Sequence, residues 1–261
     1  MHDHHERAIQ KLAKAYEPIH DVLAVVVGGS VAKGWATPGS DVDFMAVMEA
    51  DAFARCLAAD GLMVHRTDLT DYEGGYAEGK FVDLPFLRMV AERGSEPARS
   101  AFLGAIVLFD RTGEVQRLVE RILVYPEAGV EERIRRFHSQ LMIWHWYIRE
   151  AARRDDATLM SRAVAEFSLF AMRLILAHNR RLYPYHKWAL RAVEECPDKP
   201  EGIAQALTRL NRQPSPEEAS AVSDQLHVWL PLEVDYREHC RHFLEDSEWN
   251  WINHPAPIGD R

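Results

Sequence analysis

The sequence predicts an α/β (α+β) domain with a sheet of mixed strand direction, followed by an all-α helical bundle. In the first half, short apolar runs rich in Val and Ile alternate with helical periodicities and glycine-containing turns. From Val130 onward, helical spacing dominates and β-rich runs are few. The change of texture falls near Tyr125 and Pro126. We therefore expect one domain over residues 1–125 and a helical domain over residues 126–261.

The elements predicted for the first domain are a helix over 6–16, a strand over 22–27, a short helix, a strand over 42–48, a helix near 50–60, and strands near 62–67, 81–87 and 105–109. Residues 68–79 contain three glycines and predict a flexible loop that closes over a substrate. His2, His4 and His5 are potential metal ligands, but their terminal position favours a disordered tail.

Two apolar stripes at helical spacing predict long helices in the second domain. Their members are Ile134, Phe137, Leu141, Trp144 and Ile148 in one, and Leu159, Ala163, Phe167, Phe170 and Leu174 in the other. Proline-bounded helices complete the bundle, and Pro214 to Glu217 read as a serine cap followed by a proline in the first helical turn.

Composition narrows the class of protein. The net charge is −9 and 47% of residues are hydrophobic, which is ordinary for a globular chain. Three scattered cysteines predict reduced thiols and a cytoplasmic location. No apolar run approaches the length of a membrane span. Basic residues concentrate in 131–191, which suits a compact anion such as a triphosphate better than a long nucleic acid.

The most informative pattern is VVVGGSVAKGWATPGSDVDFMAV, in which Gly28, Gly29 and Ser30 precede Asp41 and Asp43. Side chains two apart on a strand point to the same face, so both carboxylates are expected to aim at one point. Such a pair repels unless a cation lies between, and Mg²⁺ suits carboxylate oxygens shared with phosphates. Glycines let backbone N–H groups approach an anion. The pattern therefore predicts phosphoryl or nucleotidyl transfer.

A third acidic residue, Asp83, lies inside the apolar run from Lys80 to Leu87. A carboxylate in apolar company is costly unless it is paired or bound to a metal, although an edge-strand residue facing water would also fit the pattern. Ser40, just before Asp41, is a candidate hydroxyl contact to the substrate.

These motifs resemble the nucleotidyltransferase superfamily of DNA polymerase β, in order, spacing and flanking hydrophobicity. The helical second half resembles antibiotic nucleotidyltransferases in layout only. The resemblance implies that a substrate hydroxyl attacks the α-phosphate of a nucleoside triphosphate, with ATP expected, and that pyrophosphate leaves. Two Mg²⁺ ions are implied at Asp41 and Asp43, with Asp83 completing the metal site or acting as general base. Phosphate contacts are implied for Gly28, Gly29, Ser30 and Ser40.

Two candidates lie in the helical half. Lys187, in the basic and aromatic segment 178–188, could contact a triphosphate, or the segment could simply complement a helix C-terminus. Glu166 is a second candidate for the general base, with a surface ion pair to Arg162 or Arg173 as the alternative.

The sequence thus predicts a Mg²⁺-dependent adenylyltransferase that modifies a hydroxyl of a small molecule. Aminoglycoside and lincosamide antibiotics are the familiar acceptors of the resembling enzymes, which suggests antibiotic resistance. The partners expected are a nucleoside triphosphate and the acceptor, without a membrane or nucleic acid, and a homodimer is one further expectation because such enzymes often pair. Two alternatives stay open: a toxin–antitoxin-type enzyme modifying a protein or tRNA, and a nucleotide-binding pseudo-enzyme that acts as a sensor.

Overall fold

A computed structural model of the protein describes residues 1–253 and 255–260. The chain divides into two compact units, Met1–Val124 and Tyr125–Arg261. Among the described residues, no helix combines the length and apolar character needed to cross a membrane.

The first unit contains five strands and six helices in the described residues. In chain order these are α1 Asp3–Tyr16, β1 Val22–Val27, α2 Gly29–Ala32, β2 Val42–Met48, α3 Ala50–Ala58, β3 Met63–Arg66, β4 Ala77–Asp83, α4 Leu84–Arg93, α5 Glu96–Ser100, β5 Ile106–Asp110 and α6 Val115–Ile122.

The five strands form one sheet in the order β3-β4-β2-β1-β5. Strand β2 runs parallel to β4, whereas the other three neighbouring pairs are antiparallel. The predicted α/β class and the mixed sheet are therefore confirmed. Because β2 is the middle strand of the sheet, residues at its N-terminal end lie between β1 and β4.

Both faces of the sheet are covered, because alternate residues of each strand belong to different cores. On one face, Val25, Phe44 and Ala77 pack with residues of α1 and α3. On the other, Val26 and Val82 pack with residues of α4 and α6. Phe44 lies so close to Gly79 that a Cβ at that glycine would come within 2.2 Å of the ring, so β2 and β4 depend on glycine for their packing there.

Two predictions in this unit are wrong. His5 is fully buried within α1 and forms hydrogen bonds, so the N-terminal histidines do not form a disordered tail. Strand β4 begins earlier than expected, at Ala77, and helix α4 begins at Leu84. Asp83 caps that helix and Pro85 lies in its first turn, where proline is tolerated.

The second unit is helical throughout its regular elements in the described residues. They are α7 Val130–Arg154, α8 Ala157–His178, a 3₁₀ turn His186–Trp188, α9 Ala189–Glu194, α10 Ile203–Arg212, α11 Pro216–Trp229, α12 Tyr236–Phe243, a π turn Leu244–Glu248 and a 3₁₀ turn Ile258–Asp260. This confirms the predicted helical portion.

The two predicted apolar stripes lie on α7 and α8, which pack against each other. Their inner members are buried, among them Leu141 and Phe167. Phe137, Trp144 and Phe170 are only half-buried, and they line a cleft instead.

Candidate active site

The glycine loop connects β1 to α2 at the N-terminal end of β2. The Gly28 N–H donates to the Asp43 carbonyl oxygen at 2.9 Å, which closes the end of the β1–β2 pair. Gly29 has φ +64°, and a Cβ there would lie 1.8 Å from Asp43 Oδ2 and 2.7 Å from Asp43 Cβ. Glycine is therefore required twice at this position, for the left-handed backbone and for contact with the carboxylate.

Asp43 lies one residue inside β2, and Asp41 lies just before the strand begins. The parallel register places Glu78 of β4 directly opposite Asp43. The neighbours Val42 and Ala77 belong to the core with α1 and α3, so Asp43 and Glu78 share the opposite face. Glu78 was missed because its segment was expected to be a loop. The register shows it to be the carboxylate nearest in the sheet to Asp43.

Three carboxylates, those of Asp41, Glu78 and Asp43, affect the pKa of Tyr76. The pKa of its phenol is raised, first by the negative charge of Asp41 and then by partial burial, by a hydrogen bond with Asp41, and by the charges of Glu78 and Asp43. These directions agree with the strand register, which places Glu78 beside Asp43, and with the position of Asp41 just before the same strand. Tyr76 is a second residue that the sequence reasoning did not identify.

Lys33 contributes a cation to the same region. Burial lowers the pKa of its ammonium group, and the negative charge of Asp43 partly restores it. Its Nζ lies 5.7 Å from the centre of the Trp35 ring, which is itself buried. In the sequence, the indication of this cation is the single lysine in the spacer between the glycines and the aspartates. A partly buried lysine near the Asp43 carboxylate is well suited to contact phosphate oxygens.

The residues fit a divalent cation that the substrate helps to bind. Within the part of the chain that the structure describes, no three His, Cys, Asp or Glu side chains could hold a metal by themselves. Mg²⁺ commonly uses one or two protein carboxylates and completes its shell with water and substrate phosphates. The close packing of Asp43 on Gly29 supports such a site, since it places a carboxylate against the loop whose backbone would meet the phosphates.

The assignment of Asp83 to this site is corrected by the strand register. Asp83 lies opposite Met48, five positions along β2 from Asp43, which corresponds to roughly 16 Å at about 3.3 Å per residue. Its Oδ1 accepts a hydrogen bond from the Phe86 N–H at 2.8 Å as the N-cap of α4. A structural role at a helix start therefore explains the isolated aspartate.

The two serines lie on either side of the spacer. Ser30 is buried in α2, and its carbonyl accepts from the Trp35 N–H at 2.9 Å. The Ser40 hydroxyl oxygen accepts from the Thr37 N–H at 2.9 Å and lies 3.2 Å from the Thr37 hydroxyl. Ser40 thus closes the turn that leads into Asp41.

In the second unit, the basic segment is largely engaged with carboxylates. Arg180 pairs with Glu127 and Glu131 at 3.1 and 2.9 Å. Lys187 is exposed, with its Nζ 5.4 Å from the centre of the Trp188 ring. Arg180 also donates to the carbonyl oxygens of Ala177 and His178 at the end of α8, which fits the helix C-terminus alternative, and the triphosphate contact of Lys187 stays a prediction.

Glu166 lies on α8 and pairs with Arg162 at 2.7 Å, as the alternative for this residue anticipated. It also lines a cleft of about 1160 Å³ within the second unit. Aromatic side chains and both signs of charge line that cleft, including Phe137, Trp144, Phe170, Trp251, Arg136 and Asp246. The structure therefore places Glu166 in a cavity of a size suitable for a small molecule.

Comparison with known proteins gives two family matches. Residues 6–86 match the model of a nucleotidyltransferase domain. Residues 98–189 match the model of a domain of unknown function, DUF4037, which spans parts of both units. No curated protein matches. Among solved structures, the chain is similar to a nucleotidyltransferase-like protein from Exiguobacterium sibiricum, with 9% identity over 98% of this chain and 80% of that chain and a TM-score of 0.44.

The first unit combines a mixed five-stranded sheet with a glycine loop packed against the Asp43 carboxylate. Residues 6–86 of this unit match the model of a nucleotidyltransferase domain, which confirms the resemblance drawn from the sequence. Nucleotidyl transfer is accordingly the general class of reaction that this domain supports.

Proposed function

We propose that the protein transfers a nucleoside monophosphate, with ATP as the donor, to a hydroxyl of a small molecule in a Mg²⁺-dependent reaction. The observation that carries the proposal is the contact between Gly29 and the Asp43 carboxylate. It joins the predicted phosphate loop to the predicted metal ligand in one constrained arrangement.

Asp41 and Asp43 would hold the divalent cation, with Glu78 facing the same region from β4. When bound, the cation would neutralise phosphate charge and acidify the attacking hydroxyl. Backbone N–H groups after Gly28, and the Lys33 ammonium group, would bind the non-transferred phosphates. In the reaction, the acceptor oxygen forms a bond to the α-phosphorus while the bond from that phosphorus to the bridging oxygen breaks, and pyrophosphate leaves.

The acceptor proton must pass to a base. Asp83, one of the two carboxylates expected for that role, is engaged as a helix cap, and Glu166 stays a prediction for it. Its cleft combines aromatic surfaces with carboxylates and arginines, among them the pairs Glu166–Arg162 and Asp246–Arg136, which suits a ring-containing acceptor that carries polar groups. Aminoglycoside-type antibiotics are acceptors of this chemical kind, and the helical unit is proposed as the acceptor-binding domain.

The test is pyrophosphate release from each of the four nucleoside triphosphates with Mg²⁺, across a panel of aminoglycosides and lincosamides. Asp43→Asn should abolish release, because it removes a metal ligand. Asp83→Asn is the matched control, with the same chemical change on the neighbouring strand, and should retain release.

Equal activity in the two variants would refute the assignment of the metal pair. Nucleotide binding without turnover for any acceptor in the panel would support the sensor alternative instead. Release that requires a protein or tRNA would favour the macromolecular alternative.

A further inference from the structure

The peptide bond that leads into Asp41 is held from outside its own strand. The Ser40 carbonyl oxygen accepts two hydrogen bonds, from Tyr72 Oη at 2.6 Å and from His5 Nε2 at 3.0 Å. Because a peptide unit is planar, fixing this oxygen also fixes the direction of the Asp41 N–H and Cα. The two donors come from α1 and from the segment before β4, which are distant in sequence.

The tautomer of His5 follows from its second contact. The His2 backbone N–H donates to His5 Nδ1 at 3.4 Å, so Nδ1 is an acceptor, and Nε2 carries the proton and donates to the Ser40 carbonyl oxygen. Burial lowers the pKa of His5, which favours this neutral form. The start of α1 thus sets the hydrogen-bonding role of His5.

The segment carrying Tyr72 is itself fastened to α1. Arg7 donates two hydrogen bonds to the Asp71 carboxylate, at 2.9 and 3.0 Å. The rings of His4 and Tyr72 lie 4.3 Å apart, and His4 Nε2 lies 2.9 Å from the Pro38 carbonyl oxygen. These contacts hold Asp71 and Tyr72 against α1, and α1 against the turn at 37–40, in the segment that the sequence predicted as a loop closing over substrate.

We propose that His5 and Tyr72 are positioning residues for the metal-binding carboxylate of Asp41, acting through their shared hydrogen bonds to the Ser40 carbonyl oxygen. The proposal rests on the proposed function, since it takes Asp41 and Asp43 as the metal pair. Losing either donor would leave the chain folded but allow the Ser40–Asp41 peptide to rotate, and the carboxylate pair would lose its preset geometry.

Mn²⁺ binding, measured by electron paramagnetic resonance on the full chain with ATP present, tests this without requiring the acceptor. Tyr72→Phe keeps the ring that packs on His4 and removes only the hydroxyl. We expect about a fivefold rise in the Mn²⁺ dissociation constant, the effect of losing one net hydrogen bond. Tyr236→Phe, at an exposed tyrosine of the second unit, is the matched control and should bind as the unmodified chain does.

Rescue distinguishes positioning from general support of the fold. His5→Leu should weaken Mn²⁺ binding by a similar factor, whereas His5→Gln should restore it, because glutamine at this helix position can accept from the His2 N–H and donate to Ser40. Mn²⁺ affinity unchanged in folded Tyr72→Phe, or equal loss in the leucine and glutamine variants, would overturn the proposal.

Asp43→Asn separates this proposal from the proposed function. If that variant also binds Mn²⁺ normally, the metal pair itself is wrongly assigned. If it loses binding while Tyr72→Phe does not, the metal pair stands and only the positioning role fails.

Discussion

Replacing Gly29 by alanine should damage the site far more than it destabilises the fold. The substitution has two separable costs. A left-handed backbone at φ +64° costs an alanine about 1–2 kcal/mol relative to glycine. In addition, the new methyl group would lie 1.8 Å from Asp43 Oδ2 and 2.6 Å from Asp43 Cγ, so rotating the carboxylate alone cannot relieve the overlap.

Gly34 provides the matched control, because it has φ +75° in the same loop and a Cβ there meets no described atom within 4 Å. Chemical denaturation should show a loss of about 1–2 kcal/mol for Gly34→Ala and a larger loss for Gly29→Ala, because the overlap with Asp43 adds to the backbone cost. Mn²⁺ binding in the presence of ATP should fall by more than about tenfold in Gly29→Ala alone, since only that variant displaces Asp43. Equal Mn²⁺ affinity in the two variants would refute the reasoning that this contact builds the site.

Three further predictions follow from neighbouring features. Glu78→Gln should weaken Mn²⁺ binding, because Glu78 faces the same region as Asp43, whereas Asp83→Asn should leave metal binding and stability nearly unchanged, because asparagine caps a helix about as well as aspartate; equal metal affinities in the two variants would contradict this. Lys33→Met should weaken ATP binding with little change in melting temperature, as isothermal calorimetry and a thermal melt would show. Burial lowers the pKa of His138 from 6.5 to about 4, so the unfolded chain binds more protons than the folded chain between pH 6.5 and 4. The free energy of unfolding should therefore fall by roughly 3 kcal/mol as the pH drops through that window. Urea titrations at several pH values should show this dependence in the unmodified chain and a flatter one in His138→Phe.

The sequence predicted well those strands and helices whose buried faces carry a regular pattern of apolar residues. β1 and β2 are central strands with both faces covered, so their apolar runs and the motif between them could be recognised from the sequence. Glu78 was not, because Ala77 and Gly79 are small and a short strand of alternating small residues gives little hydrophobic signal. Asp83 was misread for a related reason, since the apolar run around it combines the end of a strand with the first turn of a helix. The Asp83-Leu84-Pro85 order was a local cap signal that pointed to the helix.

The choice between Glu78 and Asp83 as the carboxylate beside Asp43 depends on the strand register, which the spacing of residues in the sequence does not specify. Both lie on β4, and β4 is adjacent to β2 only through a parallel pairing whose alignment no local pattern specifies. The pairing of Val42 with Ala77 decides it, since it brings position 78 beside Asp43 and carries position 83 to the far end of the strand. The same long-range alignment brings Tyr72 and Tyr76 around Asp41, where one contacts the preceding peptide and the other the carboxylate itself. The site is thus a local motif completed by a neighbouring strand and the segment before it. Substitutions at Tyr72 and Glu78 should therefore alter metal binding, as substitutions in the glycine loop do.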